Sequence, residues 1–196
     1  MISVGIAGGI GSGKSMVSNI LEAMGYPVYN ADLEARTIVD TNNEVIEQIK
    51  SLFGIGIYIE GKLDRAKVSM LVFNDKNLLQ SLNSIVHPAV AHHFNAWKQT
   101  NANVKIAFKE AAILFESGAY KQVDMVVAVV APQKLRIDRV CQRDGVTPEH
   151  VIQRMANQLS DEELVAKSNF VLVNDGIRLL LPQVTELVSK ILKGIN

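Results

Sequence analysis

Short apolar runs rich in β-branched residues recur along the chain at Ile2–Ala7, Pro27–Tyr29, Val104–Phe108, Met125–Val130 and Phe170–Val173. Runs of this length without polar alternation predict strands buried on both faces. The intervening segments carry helical spacing, as in Val17, Ile20, Leu21 and Met24, after which Gly25 is suited to end a helix. Parallel neighbouring strands need helical crossovers, so the alternation predicts an α/β layer fold with a five-stranded, mostly parallel sheet.

Two stretches break the alternation. From 32 to 100 there is no convincing strand, but Val45, Ile46, Ile49, Leu52 and Phe53, and then Val68, Leu71 and Val72, repeat at helical spacing. This predicts an inserted helical region. From 132 to 165 the chain is charged and helical, with a helix over 133–143. Thr147 then stands as N-cap before Pro148, and Ser160-Asp161-Glu162-Glu163 forms a capping box. We read this segment as a mobile cover. The last strand runs into Asn174-Asp175-Gly176 and an amphipathic helix through Leu179, Leu180, Val184, Leu187, Val188 and Ile191. The expected organisation is a core of residues 1–31, 101–131 and 166–196, an inserted helical region of 32–100, and a cover of 132–165.

The 196 residues are 48% hydrophobic, enough for one sizeable core. Lys plus Arg and Asp plus Glu both number 20, so no broad basic surface is implied for nucleic acid or an anionic membrane, and any anion must be met locally. The single cysteine, Cys141, has no disulfide partner within the chain, and neither a signal peptide nor a membrane-length apolar run is present, so the expected compartment is the cytoplasm. Of His87, His92, His93 and His150, the only close pair is adjacent and points to different helix faces, which does not make a metal site. No obligate protein partner is indicated.

The strongest chemical signal is Gly8-Gly9-Ile10-Gly11-Ser12-Gly13-Lys14-Ser15, the full G-x-x-x-x-G-K-[ST] pattern between an expected strand and an expected helix. Glycines let backbone N–H groups approach phosphate oxygens, and the helix N-terminus favours negative charge there. Lys14 then reaches the outer phosphates and the Ser15 hydroxyl is placed to ligate Mg²⁺. This predicts a nucleoside triphosphate site formed by Gly8, Gly11, Ser12, Gly13, Lys14, Ser15 and Met16. No N-K-x-D guanine motif is present, and a fused cover suits an enzyme that excludes water during transfer. An ATP-dependent small-molecule kinase is favoured. A nucleoside or nucleotide kinase, and a nucleotide-dependent sensor acting on a protein partner, share the same loop.

The whole-chain pattern resembles the dephospho-CoA kinases. The P-loop is similar to that family's own version. Asn30-Ala31-Asp32-Leu33-Glu34-Ala35-Arg36 resembles its D-A-D-x-x-A-R segment, with Asn30 in place of the first acid. His87-Pro88 and Ile113-Leu114-Phe115-Glu116-Ser117-Gly118 resemble H-P and L-L-F-E-S-G, without the proline usual before the latter. Arg139, Arg143-Asp144-Gly145, Arg154 and Gln158 fit the lid spacing, and Asn174 with Gly176 fits the closing N-x-G. The resemblance implies a P-loop core, a helical CoA-binding region and a lid. Its implied reaction is ATP- and Mg²⁺-dependent phosphorylation of the ribose 3′-hydroxyl of 3′-dephospho-CoA.

It also implies residue roles, each with a plainer alternative. Asp32 would be the catalytic base, with Lys14 and Arg143 stabilising charge; alternatively Asp32 is a helix cap with an i,i+4 partner in Arg36. Arg36, His87, Glu116 and Arg154 would join Asp32 on the acceptor, although Glu116 also suits a helix start and His87 the end of a helix before proline. Arg139 and Arg143, four apart on one helix, would meet the phosphates, or simply form a solvated charged face. Asn174 and Gly176 would frame the adenine, or form an ordinary turn. Cys141 reads as structural.

Overall fold

The computed structural model describes residues 1–73 and 75–194. Residue 74 of the expected helical region and residues 195 and 196 of the expected last core segment lie outside the described residues. The strands are β1 (Ile2–Ala7), β2 (Val28–Asn30), β3 (Tyr58–Ile59), β4 (Lys62–Leu63), β5 (Ile106–Glu110), β6 (Met125–Val130) and β7 (Phe170–Val173). The helices are α1 (Lys14–Ala23), α2 (Ala31–Thr41), α3 (Asn43–Phe53), α4 (Arg65–Phe73), α5 (Lys76–Thr100), α6 (Gln133–Asp144), α7 (Pro148–Met155), α8 (Asp161–Lys167) and α9 (Leu180–Lys193).

The chain divides into two compact units, Met1–Asn30 with Lys98–Asn196, and Ala31–Trp97. The first unit holds a five-stranded sheet in the order β2-β5-β1-β6-β7, parallel throughout. Its register sets Ile6 beside Glu110 and Val127, so the carboxyl ends of β1 and β5 lie close to level while β6 runs on to Val130. Val4 and Ile6 of β1, Ile106 and Phe108 of β5, and Val127 and Val129 of β6 pack with Val17 and Leu21 of α1 and with Leu180, Val184, Leu187, Val188 and Ile191 of α9. The amphipathic stripe expected of the last helix is therefore the cover of the central strands.

Two strands are displaced from the sequence expectation. β2 covers 28–30 rather than 27–29, and β5 covers 106–110 rather than 104–108. Val104 belongs instead to a turn, its N–H bonded to the Asn101 carbonyl. At the other end Lys109 and Glu110 continue the strand although they end the apolar run, and both are buried, at 1% and 4% exposure. Thr147 does occupy the N-cap of α7, but its hydroxyl makes no capping bond; Ser160 and Glu163 form the full reciprocal capping box of α8.

In the second unit α2 and α3 pack together, burying Ile38, Val39, Val45 and Ile49. This region was expected to lack strands, yet it contains the β3–β4 hairpin, turned by Glu60 and Gly61 at positive φ. Two-residue strands leave no readable period. Side chains do the holding: Tyr58 Oη donates to the Val39 carbonyl at 2.8 Å, and Asp40 accepts from the Leu63 N–H at 3.0 Å.

Candidate active site

Between β1 and α1 the backbone of residues 8–13 curls into a loop in which the carbonyls of residues 8–12 are each taken by a side chain, while that of Gly13 accepts from the Met16 and Val17 N–H groups. Lys14 Nζ donates to Gly8 O at 2.8 Å and Gly9 O at 3.3 Å, and Arg136 Nε to Ile10 O at 3.0 Å. Arg139 Nη1 reaches Gly11 O at 3.4 Å and Asn174 Nδ2 donates to Ser12 O at 2.8 Å. A trans peptide points its N–H away from its carbonyl, so pinned carbonyls present the loop's remaining N–H groups, with the N-terminus of α1, on the opposite side. Gly13, at φ 100, caps α1 so close to Asn174 that a Cβ would run into its amide. Lys14 is buried in this arrangement, Ser15 and Met16 are exposed, and the Ser12 hydroxyl is buried with no hydrogen-bond partner among the described residues.

Beside the loop stands a residue that sequence reasoning missed. Glu110, at the carboxyl end of β5, accepts from Ser15 Oγ at 2.9 Å through Oε1 and from Ser18 Oγ at 2.8 Å through Oε2, with Asn30 Nδ2 at 3.4 Å. The only signal in the sequence was an acid directly after a buried strand, a position at which charged residues ordinarily surface. Arg136 was missed as well, and Gln158 was noted only for its spacing; its Oε1 accepts from the Ile10 N–H at 2.8 Å. The Ile10 side chain packs with Val140 and Val151, flanked by Ile137, Cys141, Val146 and Met155. Segment 132–165 thus has a small core of its own built on a residue of the loop, and Cys141 is part of that packing.

The expected cations of this segment do not act alike. Arg139 binds both the backbone oxygen and Oδ1 of Asn174, at 3.2 Å each. Both ends of the Asn174 amide are therefore engaged within the protein, and Gly176, at φ 82, follows in a turn whose Asp175 carboxylate accepts from the Ile177 and Arg178 N–H groups. Those bonds hold Asp175 below the usual carboxylate range. Arg143 lies exposed and makes a double hydrogen bond to Asp144, which raises its own pKa and lowers that of the carboxyl; Arg154 reaches the same Asp144 at 3.4 Å. Each of these arginines has an acceptor within the protein. Glu116 does not begin a helix but sits in the turns after β5, its Oε1 accepting from the Leu159 N–H at 3.0 Å.

Asp32, Arg36 and His87 belong to the second unit. Asp32 and Arg36 are exposed one turn apart on α2, Asp32 as its second residue rather than its cap. His87 is half-buried within α5 rather than at its end, with Pro88 inside the same helix, and burial lowers its pKa. Among the described residues no group of three or more His, Cys, Asp or Glu is arranged to hold a metal, and no helix is long and apolar enough to cross a membrane.

Residues 2–178 match the family model described as dephospho-CoA kinase. A dephospho-CoA kinase of Bacteroides fragilis is 39% identical over 195 residues, covering 100% of this chain and 95% of the relative; that of Porphyromonas gingivalis is 37% identical over 192, covering 97% and 95%. Among solved structures, TT1252 from Thermus thermophilus superposes with a TM-score of 0.84 at 31% identity, covering 100% of this chain and 98% of the other. Dephospho-CoA kinase from Campylobacter jejuni gives 0.72 at 27%, covering 99% and 98%. Shikimate kinase from Acinetobacter baumannii, at 0.55 and 12% over 99% and 94%, shares the fold alone. Fold and loop together define a P-loop kinase that takes ATP as co-substrate and a small molecule as acceptor. More particularly, the chain belongs to the dephospho-CoA kinase family, whose reaction moves the ATP γ-phosphoryl group to the ribose 3′-hydroxyl of 3′-dephospho-CoA, giving CoA and ADP.

Proposed function

We propose that the pinned loop of residues 8–13 holds the ATP phosphates, and that the acceptor is bound by the helical region 32–100. The observation that carries this is the capture of successive loop carbonyls by Lys14, Arg136, Arg139 and Asn174, which frees the other side of the loop for an anion. The buried Ser12 hydroxyl, without a partner among the described residues, is a group that a phosphate oxygen satisfies. Lys14 exchanges its hold on Gly8 and Gly9 for the β- and γ-phosphates, where its charge counts in the transition state.

Ser15 and Glu110 offer hard oxygen donors in mutual contact beside the loop, a set that fits Mg²⁺, which binds through one or two protein oxygens plus phosphates and water. When bound, the ion neutralises charge on the phosphates. Asn174 serves the nucleotide through the loop it holds, while the turn at Gly176 meets the base. Asp32 orients and accepts the proton of the ribose hydroxyl, with Arg36, His87, Glu116 and Arg154 on the acceptor. Segment 132–165 works as a lid pivoting about its anchorage on Ile10, with Arg143 turning from Asp144 to the phosphates on closure.

The test is coupled ADP release with dephospho-CoA, adenosine and AMP as acceptors, with phosphorus NMR of the product. Dephospho-CoA should be strongly preferred and should gain its phosphate at the 3′ position, because contacts to the remote pantetheine and diphosphate align the acceptor. Equal or higher kcat/KM for AMP would assign a nucleotide kinase. ADP release independent of any small acceptor would favour a sensor.

A further inference from the structure

Arg136 is a nearly buried cation, 5% exposed, whose guanidinium makes two bonds at once: Nε donates to Ile10 O at 3.0 Å and Nη1 to Asp161 Oδ1 at 2.7 Å. The group lies against Gly9, where a Cβ would displace it, and its backbone carbonyl lies against Gly11, where a Cβ would run into that oxygen. From the other side Gln158 accepts from the Ile10 N–H and donates to Ala112 O at 3.1 Å. Two successive peptide planes, 9–10 and 10–11, are thus each fixed by a side chain from segment 132–165.

Anchoring alone does not require this arrangement. The Ile10 side chain is already packed with Val140 and Val151, which secures the position of the turn. Packing does not fix the rotation of a peptide plane, whereas a bond to its carbonyl does. Holding Ile10 O sets the direction of the Gly11 N–H, one of the groups available to an anion. A planar guanidinium suits the task because it reaches two acceptors in a fixed fork, and Asp161, at the first turn of α8, both orients it and offsets its burial.

We infer that Arg136 is a positioning residue of the phosphotransfer reaction: oriented by Asp161, it holds the Gly9–Gly11 turn in the form that receives the ATP phosphates. This rests on the reading that the loop binds those phosphates. Asp161 is 26% exposed and, with Arg136 and Gln158, lines a cavity of about 1010 Å³, so truncating it opens onto water rather than leaving a sealed void.

The experiment compares Arg136→Gln, Arg136→Lys and Asp161→Ala with the parent, measuring kcat and KM for each substrate and the thermal midpoint, with Lys14→Ala alongside. Arg136→Gln should lower kcat/KM for ATP by on the order of 10²-fold with the KM for dephospho-CoA unchanged, since misplacing a positioned phosphate is felt in the transition state. Arg136→Lys, which keeps the charge but not the fork, should recover the thermal midpoint without recovering kcat/KM for ATP. Asp161→Ala should lower kcat/KM for ATP by roughly tenfold, the lesser effect of a supporting partner. Parental kcat/KM for ATP in folded Arg136→Gln, or full kinetic recovery by lysine, would overturn the inference as a matter of charge and stability only. Should Arg136→Gln not fold, Asp161→Ala decides, its parental kinetics counting against the proposal. An active Lys14→Ala would sink the phosphate-site reading and this inference together; an inactive Lys14→Ala beside parental Arg136 variants would sink the inference alone.

Discussion

Ser15 and Glu110, 95 residues apart in sequence, meet where α1 begins beside the end of β5, with the Ser15 hydroxyl donating to Glu110 Oε1 at 2.9 Å. The contact follows from topology. Parallel pairing of β5 with β1 sets Glu110 beside Ile6, and the short loop after β1 returns Ser15 and Ser18 to the same level. A carboxylate that is 4% exposed is thereby supplied with two hydroxyl donors. The hydroxyl oxygen of Ser15 keeps lone pairs for a cation while its O–H points at Glu110.

Glu110→Gln tests whether this pair holds the metal. An amide preserves shape and an acceptor oxygen but not the charge, so activity titrated with Mg²⁺ at fixed ATP should need roughly 10–100-fold more metal, with the fold retained. Glu110→Ala should in addition lower stability by roughly 1–3 kcal/mol for the buried Ser18 hydroxyl left without its acceptor, read from urea unfolding. An unchanged Mg²⁺ requirement in Glu110→Gln would remove the carboxylate from the metal site.

What was legible in the sequence divides along physical lines. The parallel sheet, the loop, the capping box of α8 and the apolar face of α9 were readable because each rests on local chemistry: unbroken apolar runs, a glycine pattern between strand and helix, a reciprocal cap, a helical stripe. Glu110 and Lys109 were not, since polar residues ending an apolar run look like the end of a strand, and only the tertiary fold shows them buried. Arg136, and the hold of Asn174 on the loop, were hidden for a different reason: their partners, Ile10 and Ser12, are 126 and 162 residues away and are backbone carbonyls, which carry no sequence signature. The arginines of α6 point three ways, with Arg136 turned in, Arg139 on the loop and Arg143 outward, 63% exposed, so a uniformly solvated charged face, the plainer alternative, does not describe the helix.

Lys109 gives a pH-dependent signature of the first unit. Burial, with Lys98 nearby, pushes its ammonium down from 10.5 to about 8, and its Nζ donates to Gln122 Oε1 beside the Tyr29 ring. Between about pH 8 and 10.5 the unfolded chain binds this proton and the folded chain does not, so Lys109 makes stability rise with pH across that window. Below pH 8 both states carry the proton and the full penalty of burying the charge applies. Lys109→Met removes the charge at similar length, so at pH 7 the variant should exceed the parent by up to roughly 3 kcal/mol, from 2.5 pH units at 1.36 kcal/mol each. The lost bond to Gln122 returns about 1 kcal/mol of that. Urea unfolding of both proteins at pH 7, 8.5 and 10 should show the difference shrinking as pH rises; a constant difference would contradict the buried-ammonium assignment.

Asp32 carries the sharpest prediction about the chemistry. It is exposed in the first turn of α2, two residues after β2 ends, and Arg36 follows one turn on. We assign it the proton of the ribose hydroxyl, a role that needs a carboxylate in line with the acceptor, while charge on the phosphates falls to Lys14 and Mg²⁺. Asp32→Asn keeps the size and most hydrogen-bonding capacity but accepts no proton, so kcat should fall roughly 10²–10⁴-fold with ATP affinity little changed. The plainer role is a stabilising one: Asp32 is not the cap of α2 but lies in its first turn, where a carboxylate contributes about 0.3–1 kcal/mol of stability through the helix dipole. On that reading Asn costs a small shift in the unfolding midpoint and leaves turnover parental. Steady-state kinetics, an ATP titration and a urea melt of this one variant separate the two, and near-parental kcat with slightly lowered stability would end the catalytic assignment.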